Sequence, residues 1–194
     1  GKKDEYLTYY LLTGDEDYAR GIAWGAGQAV EAVLDRYLVQ PGLFTTPGND
    51  PPRTSRAATG AANLVDLALG TGQLTPEERK SLLSKLAFVA YQLADPDNYS
   101  PERRFSANPN MTSMMRSTLG VYACLLAGHP MSETWAQAAI AEYEKELTNW
   151  VGPKGAWLEN PHYQFASIPG IVAGSLALRN AGIRDFFQEG QLRK

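Results

Sequence analysis

Apolar residues recur at intervals of three and four positions through most of the chain, as they do on one face of an α-helix. The pattern is clear from Tyr6 to Leu12 and from Ile22 to Leu38, where small residues fill the gaps. Four more stretches are rich in alanine, which favours helix by intrinsic propensity: Arg56–Leu69, Leu82–Leu93, Thr134–Leu147 and Ile168–Arg179. No segment alternates with the period of a β-strand, so the sequence predicts an all-α fold.

Four glycines interrupt this pattern at intervals of 58, 56 and 54 residues: Gly14, Gly72, Gly128 and Gly182. Each is placed to end a helix in the left-handed conformation. Helix starts follow three of them, at Asp15, at Thr75-Pro-Glu-Glu and at Ser132. One such interval holds two helices of about 15–20 residues, which is longer than the common helical repeats. We therefore expect antiparallel helical hairpins of an (α/α) toroid.

Three long segments lie between the glycine turns: Gln40–Thr54, Ala94–Asn110 and Trp150–Pro161. Each occupies the same place in its hairpin interval, so all three are expected on one face of the domain. Long loops in compact helical domains are usually functional. The first segment is rich in proline and glycine, which suits a lid or a simple connector equally well.

The other two segments carry the groups that could bind a ligand. The second contains Arg103, Arg104, Asn108 and Asn110, and the helix after it carries Arg116. One asparagine can cap that helix, but a cap does not account for both. The third contains Trp150, Trp157, Glu159, Asn160, His162 and Tyr163. Exposed tryptophans beside polar groups suit stacking on sugar rings, although tryptophans also anchor cores.

Charge and composition exclude several classes of function. A formal net charge of -3 argues against a non-specific nucleic-acid binder but allows a local basic cleft. The single cysteine, Cys124, excludes a disulfide framework, and its apolar neighbours predict a buried structural thiol. No metal-ligand spacing or phosphate-binding loop occurs, so no metal or cofactor is expected. No apolar stretch reaches the length of about 18 residues that predicts a membrane span.

Three stretches resemble the toroid domain of polysaccharide lyases of the heparinase II/III and alginate lyase type. Tyr9–Tyr18 is similar to a helix-turn-helix phrase of those toroids. Trp157-Leu-Glu-Asn-Pro-His-Tyr163 resembles their E-x-x-x-Y segment, in which the tyrosine opens a helix at the cleft. Asn108-Pro-Asn110 lies about one hairpin upstream, where the family places its carboxylate-binding asparagine.

The resemblance implies binding of an acidic, uronate-containing polysaccharide or oligosaccharide and its cleavage by β-elimination. Asn108 or Asn110, helped by Arg116, would neutralise the sugar carboxylate, because an uncharged carboxylate makes the C5 proton more acidic. Tyr163 would act as acid and base, with His162 beside it. The remaining predicted substrate contacts are Trp150 and Trp157 as stacking platforms, with Glu159, Asn160, Arg103 and Arg104.

The resemblance also implies a periplasmic or secreted enzyme, although no signal peptide is recognisable in the sequence. Residues 1–194 form a single toroid domain or part of one, since a full toroid has more than three to four hairpins. The longer protein is expected to continue into a C-terminal β-sandwich, which makes the rest of its own chain a partner. Two other functions stay open: an (α/α) toroid glycoside hydrolase acting on uronide oligosaccharides, and a non-catalytic helical scaffold.

The hydrolase would need two carboxylates at the site, separated by about 5–10 Å. The long segments supply Asp50, Asp97, Glu102 and Glu159, but no pair stands out.

Overall fold

The computed structural model describes residues 2–38, 51–95, 109–158, 160–189 and 192. These residues form seven α-helices: α1 (Lys2–Thr13), α2 (Glu16–Leu38), α3 (Pro51–Thr71), α4 (Pro76–Ala94), α5 (Pro109–Leu125), α6 (Ser132–Trp150) and α7 (Pro161–Asn180). Within these ranges, β-pairing is limited to one bridge between Val151 and Trp157. The predicted all-α class is therefore confirmed.

The four glycine turns are confirmed by their backbone conformation. Gly14, Gly72, Gly128 and Gly182 have φ values of 69°, 69°, 93° and 71°. Residues that have a Cβ atom rarely adopt this left-handed backbone conformation, whereas glycine adopts it without a steric penalty. Gly14 closes its helix with a 2.8 Å hydrogen bond from its N–H to the carbonyl of Tyr10. Short turns therefore join α1 to α2, α3 to α4 and α5 to α6, as the intervals predict.

Two of the three predicted helix starts are capped by their own side chains. Thr75 Oγ1 accepts a 3.2 Å hydrogen bond from the N–H of Glu78, whose carboxylate accepts the N–H of Thr75 at 2.8 Å. Asp15 Oδ1 accepts the N–H of Asp17 at 2.9 Å. Helix α6 begins at Ser132 as predicted, and Met131 precedes it without a side-chain cap.

The helices after the long segments begin earlier than the sequence suggests. Helix α3 starts at Pro51 and α5 at Pro109, since proline fits the first helical position, where no N–H donor is needed. Residues 39–50 and 96–108 of the first two segments lie outside the described residues. The third segment connects α6 to α7 through the bridge between Val151 and Trp157.

Helices α3 and α5 run parallel in close contact. The Thr118 hydroxyl hydrogen-bonds the Thr59 hydroxyl at 2.7 Å and donates to the Ser55 carbonyl at 3.2 Å. One turn further along both helices, the Tyr122 hydroxyl donates to the Ala58 carbonyl at 3.0 Å. From Thr118 to Tyr122 on α5, the carbonyl partner on α3 changes from Ser55 to Ala58, so the two helices run in the same direction.

Helix α5 is also packed against α4, α6 and α7. Helix α7 runs parallel to it, because Gly170 lies opposite Ser117 while Ala177 and Leu125 line a groove nearer the C-terminal ends. The N-terminal ends of α3, α5 and α7 therefore lie at one end of the domain. The long segments enter the helices there, and the glycine turns lie at the opposite end.

Tyr143 of α6 fills the space between α5 and α7, and two glycines make room for it. A Cβ atom at Gly174 would lie 1.9 Å from the Tyr143 hydroxyl oxygen, and one at Gly120 would lie 3.2 Å from it. The ring is fully buried, and burial raises the pKa of its phenol. The contact between α6 and α7 therefore requires glycine at position 174.

We expect Gly174→Ala to destabilise the domain by about 1–3 kcal/mol, because the methyl group overlaps the Tyr143 hydroxyl. Gly27→Ala is the matched control, since Gly27 is also helical and has no heavy atom within 4 Å of the added Cβ. It should be neutral or stabilising by about 0.5–1 kcal/mol. Urea unfolding followed by circular dichroism measures both.

Tyr143→Phe should recover part of the loss in the Gly174→Ala variant, because it removes the overlapping oxygen. Equal stability of the two alanine variants would contradict the proposed packing.

Candidate functional site

A cleft of about 540 Å³ lies between α3 and α7, with α5 as its floor. The residues that line it come from the N-terminal and middle turns of these three parallel helices. The gathering of long loops at one functional face stays a prediction, because residues 39–50 and 96–108 of the first two lie outside the described residues.

The two walls of the cleft differ in chemistry. The α3 wall is polar and presents Arg56, Thr59 and Asn63. The α7 wall presents Phe165, Pro169 and Ala173, and the ring of Phe165 is 79% exposed. A ligand with one apolar and one polar side would contact both walls at once.

Pro169 interrupts the hydrogen bonding of the apolar wall. Proline lacks an N–H, so the carbonyl of Phe165, four residues earlier, loses its usual helical donor. Both residues line the cleft.

The groove continues toward the glycine-turn end. A second pocket of about 360 Å³ shares Asn63, Val121 and Ala173 with the cleft and adds Asp66 and Cys124. The groove is thus long enough to follow several turns of the parallel helices.

Arg56 supplies positive charge to the cleft. Its Nε donates a hydrogen bond to the Met114 sulfur at 3.1 Å, which ties the side chain to the floor. Among the described residues, no Lys, His or other Arg lines the cleft with it. The guanidinium reaches across from α3 to α5 beside the opening.

Asn110 lies in the first turn of α5 and is 5% exposed. Its Oδ1 has no hydrogen-bond partner within the described part of the chain. Thr112, two residues later, faces α6, and residues two apart point to roughly opposite sides of a helix. Ser117, seven residues after Asn110, lies on the cleft floor. Asn110 therefore lies on the cleft side, while Asn108 falls outside the described residues.

His162 and Tyr163 lie in the first turn of α7, and both are exposed. Their ring centroids are 5.5 Å apart at 71°. By helical spacing they lie one turn before Ala166 and on the same face, and Ala166 lines the cleft. Neither residue is among those that line the cleft, so only helical spacing relates the two predicted acid/base residues to it.

Asn160 has a structural role in the same turn. Its Oδ1 accepts the N–H of His162 at 2.9 Å, which caps α7. The side chain predicted to bind substrate is therefore engaged in orienting the helix. Glu159, Arg103 and Arg104 lie outside the described residues.

Trp150 and Trp157 form an anchor rather than a stacking platform. Trp157 is only 8% exposed, and its ring stacks on Trp150 with centroids 6.5 Å apart. The N–H of Leu158 donates to the Trp150 carbonyl at 2.8 Å, which closes the loop. Neither ring lines the cleft, so Phe165 is the exposed aromatic residue on this wall.

Arg116 lies on a different face of α5 from the cleft. It follows Thr112 by one helical turn, on the side of α6, and its carbonyl accepts the Tyr143 hydroxyl at 3.5 Å. The cation predicted to assist the asparagine therefore lies on another face of α5, and the arginine that lines the cleft is Arg56. No sequence pattern indicated Arg56, because its contact with Met114 spans 58 residues.

A buried acidic pair lies behind α5, and no sequence pattern indicated it. Glu146 is 4% exposed and accepts hydrogen bonds from the Thr112 hydroxyl and, at 2.9 Å, from the Ser113 hydroxyl. Glu142, one turn earlier, is also buried, with Lys145 Nζ 3.6 Å from its Oε1. Burial raises the pKa of Glu146 to about 7 despite these donors. The pair supports the turn of α5 that carries Asn110.

Cys124 fits the predicted structural thiol, although it is half-buried rather than fully buried. Burial raises the pKa of its thiol to about 11, and a thiol protonated at neutral pH is a poor nucleophile. In the described ranges, no group of three His, Cys, Asp or Glu residues could hold a metal ion. No described helix is long and apolar enough to cross a membrane.

No protein-family model matches this sequence, and no match was found among curated proteins or solved structures.

We expect Glu146→Gln to change how stability depends on pH. Because its pKa is raised in the folded state, Glu146 stabilises the fold fully only while it is protonated, below its unfolded pKa. The free energy of unfolding therefore falls as the pH rises from that value toward about 7. The variant removes this loss, so its stability relative to wild type should rise by roughly 2 kcal/mol from about pH 5 to about pH 8. Urea unfolding at the two pH values measures it.

Glu133→Gln is the control, because Glu133 is on the same helix but exposed. A stability difference between Glu146→Gln and wild type that does not vary with pH would contradict the raised pKa.

Proposed function

We propose that this chain is an arc of an (α/α) toroid from a polysaccharide lyase that cleaves an acidic, uronate-containing polysaccharide by β-elimination. The observation that carries the proposal is the shared position of three groups. Asn110 in the first turn of α5 and His162 and Tyr163 in the first turn of α7 each precede, by one helical turn, a residue that lines the same cleft. These are residue types that the reaction requires.

The helix arrangement supports a toroid arc. Helices α3, α5 and α7 form a row in which neighbours contact each other, and α2 contacts α4 behind them. Each hairpin returns the chain to the same end, so the row presents several helix N-termini to one groove. Further hairpins of the same kind would extend the row in a curve.

The chemistry follows from the groups at the cleft. The Asn110 amide donates a hydrogen bond to the sugar carboxylate and stabilises the enolate-like transition state. Tyr163, as the phenolate, takes the C5 proton, and that electron pair forms the C4–C5 double bond as the C4–O bond breaks. The phenol so formed returns its proton to the leaving oxygen. His162, the neighbouring residue, shares the acid/base task.

The four carboxylates predicted for a hydrolase, Asp50, Asp97, Glu102 and Glu159, lie outside the described residues. Hydrolysis of a glycosidic bond needs two carboxylates facing each other across the bond. Among the described residues, Asp66 lines the groove, while Glu142 and Glu146 are buried on the α6 side of α5.

We expect the full-length protein to release unsaturated uronides from at least one uronate polysaccharide, and Tyr163→Phe to reduce the rate by about 100-fold or more. The conjugated double bond of the product absorbs in the ultraviolet, and this absorbance measures the rate. Tyr91→Phe is the control, because Tyr91 is similarly exposed but lies on α4 away from the cleft. It should retain the wild-type rate.

Three outcomes would contradict the proposal in different ways. Absorbance that survives Tyr163→Phe keeps β-elimination but removes Tyr163 from its centre. Reducing ends released without absorbance indicate a hydrolase. No product from any uronate polysaccharide favours a non-catalytic helical scaffold.

A further inference from the structure

Arg56 is held in place by a contact that, within the described part of the chain, leaves most of its hydrogen-bonding capacity unused. Its Nε donates to the Met114 sulfur at 3.1 Å. A guanidinium has five N–H donors, so the four on its two terminal nitrogens remain. No acidic side chain in the described ranges forms an ion pair with Arg56.

Met114 is suited to holding this guanidinium. It is 8% exposed and lies on the cleft floor, in the same helix as Asn110 and one turn after it. A thioether is a weak acceptor and carries no charge, so it orients Arg56 without neutralising it. A carboxylate in place of the sulfur would form an ion pair and cancel the positive charge.

The position of Arg56 suits binding of the carboxylate group of an acidic sugar. Arginine binds carboxylates through two parallel hydrogen bonds from its planar fork. Across the cleft, Phe165 offers an exposed ring to the C–H face of a sugar, and the α3 wall adds the polar side chains of Thr59 and Asn63. A uronate unit has both the apolar face and the carboxylate that these walls would contact.

We propose that Arg56 binds a sugar carboxylate in this cleft and selects acidic over neutral saccharides, with Met114 as its positioning residue. This inference rests on the proposed function, and it names the residue that sets the substrate class. Asn110 acts on the carboxylate of the reacting sugar, and Arg56 adds the positive charge that Asn110 lacks.

Binding of defined oligosaccharides tests the inference. The probes are tetrasaccharides of mannuronate, guluronate, galacturonate and glucuronate type, each paired with its carboxyl-reduced neutral form. Isothermal titration calorimetry is done on the full-length protein carrying Tyr163→Phe, so that the probe is not cleaved. We expect the best acidic probe to bind at least about 10-fold more tightly than its neutral form.

Arg56→Gln should weaken binding of the acidic probe by about 10- to 100-fold and of the neutral probe by less than about 3-fold. Arg79→Gln is the matched control, because it removes the same charge from an exposed position on α4. It should leave both affinities unchanged. Arg56→Lys keeps the charge but not the fork or the Nε contact, so its effect should be intermediate.

Met114→Leu tests the positioning role, since it keeps the apolar volume of the floor and removes the acceptor. It should weaken binding of the acidic probe by about 3- to 10-fold. In the Arg56→Gln background it should have no further effect on the ratio of acidic to neutral affinities. A purely structural role for Met114 would lower both affinities equally in either background.

An acidic preference that persists in Arg56→Gln would overturn the inference, and so would equal binding of acidic and neutral probes by the protein with Arg56 intact. Neither result touches the lyase proposal, which the product absorbance tests separately in the protein with Tyr163 intact. Absence of both cleavage and binding for every acidic probe would overturn the two together.

Discussion

Hydrogen bonds from buried hydroxyls on α5 determine where the neighbouring helices lie, and the site depends on them. Thr118 bonds to Thr59 and to the Ser55 carbonyl on α3, while Thr112 and Ser113 donate to Glu146 on α6. A buried polar group without a partner costs about 1–3 kcal/mol. A shift of α3 along α5 would break its bonds and separate Arg56 from Met114.

Small residues determine the width of the cleft on its other side. A Cβ at Gly170 would lie 3.1 Å from the Ser117 hydroxyl oxygen, so glycine lets α7 approach the floor closely. Gly174 admits Tyr143 at the next turn. Together these contacts place the apolar wall, with Phe165 and Pro169, opposite the polar wall of α3.

Helix α5 also separates two groups of opposite charge. Arg56 lies on the cleft side, and the acidic pair of Glu142 and Glu146 is buried on the α6 side. Because burial raises the pKa of Glu146 to about 7, this carboxyl carries only part of its negative charge near neutral pH. An acidic protein can therefore present a locally positive cleft to an anionic ligand.

The sequence by itself determined the all-α class, the hairpin spacing, the left-handed glycines and the Thr75 and Asp15 caps. These features depend on backbone conformation and on partners within about four residues, so local patterns report them. The tertiary structure decided which side chains meet. Arg56 lies 58 residues from Met114 and Glu146 lies 34 from Thr112, and helical period alone does not specify which helix packs against which face. For the same reason, Trp157 is an anchor and Arg116 faces away from the cleft.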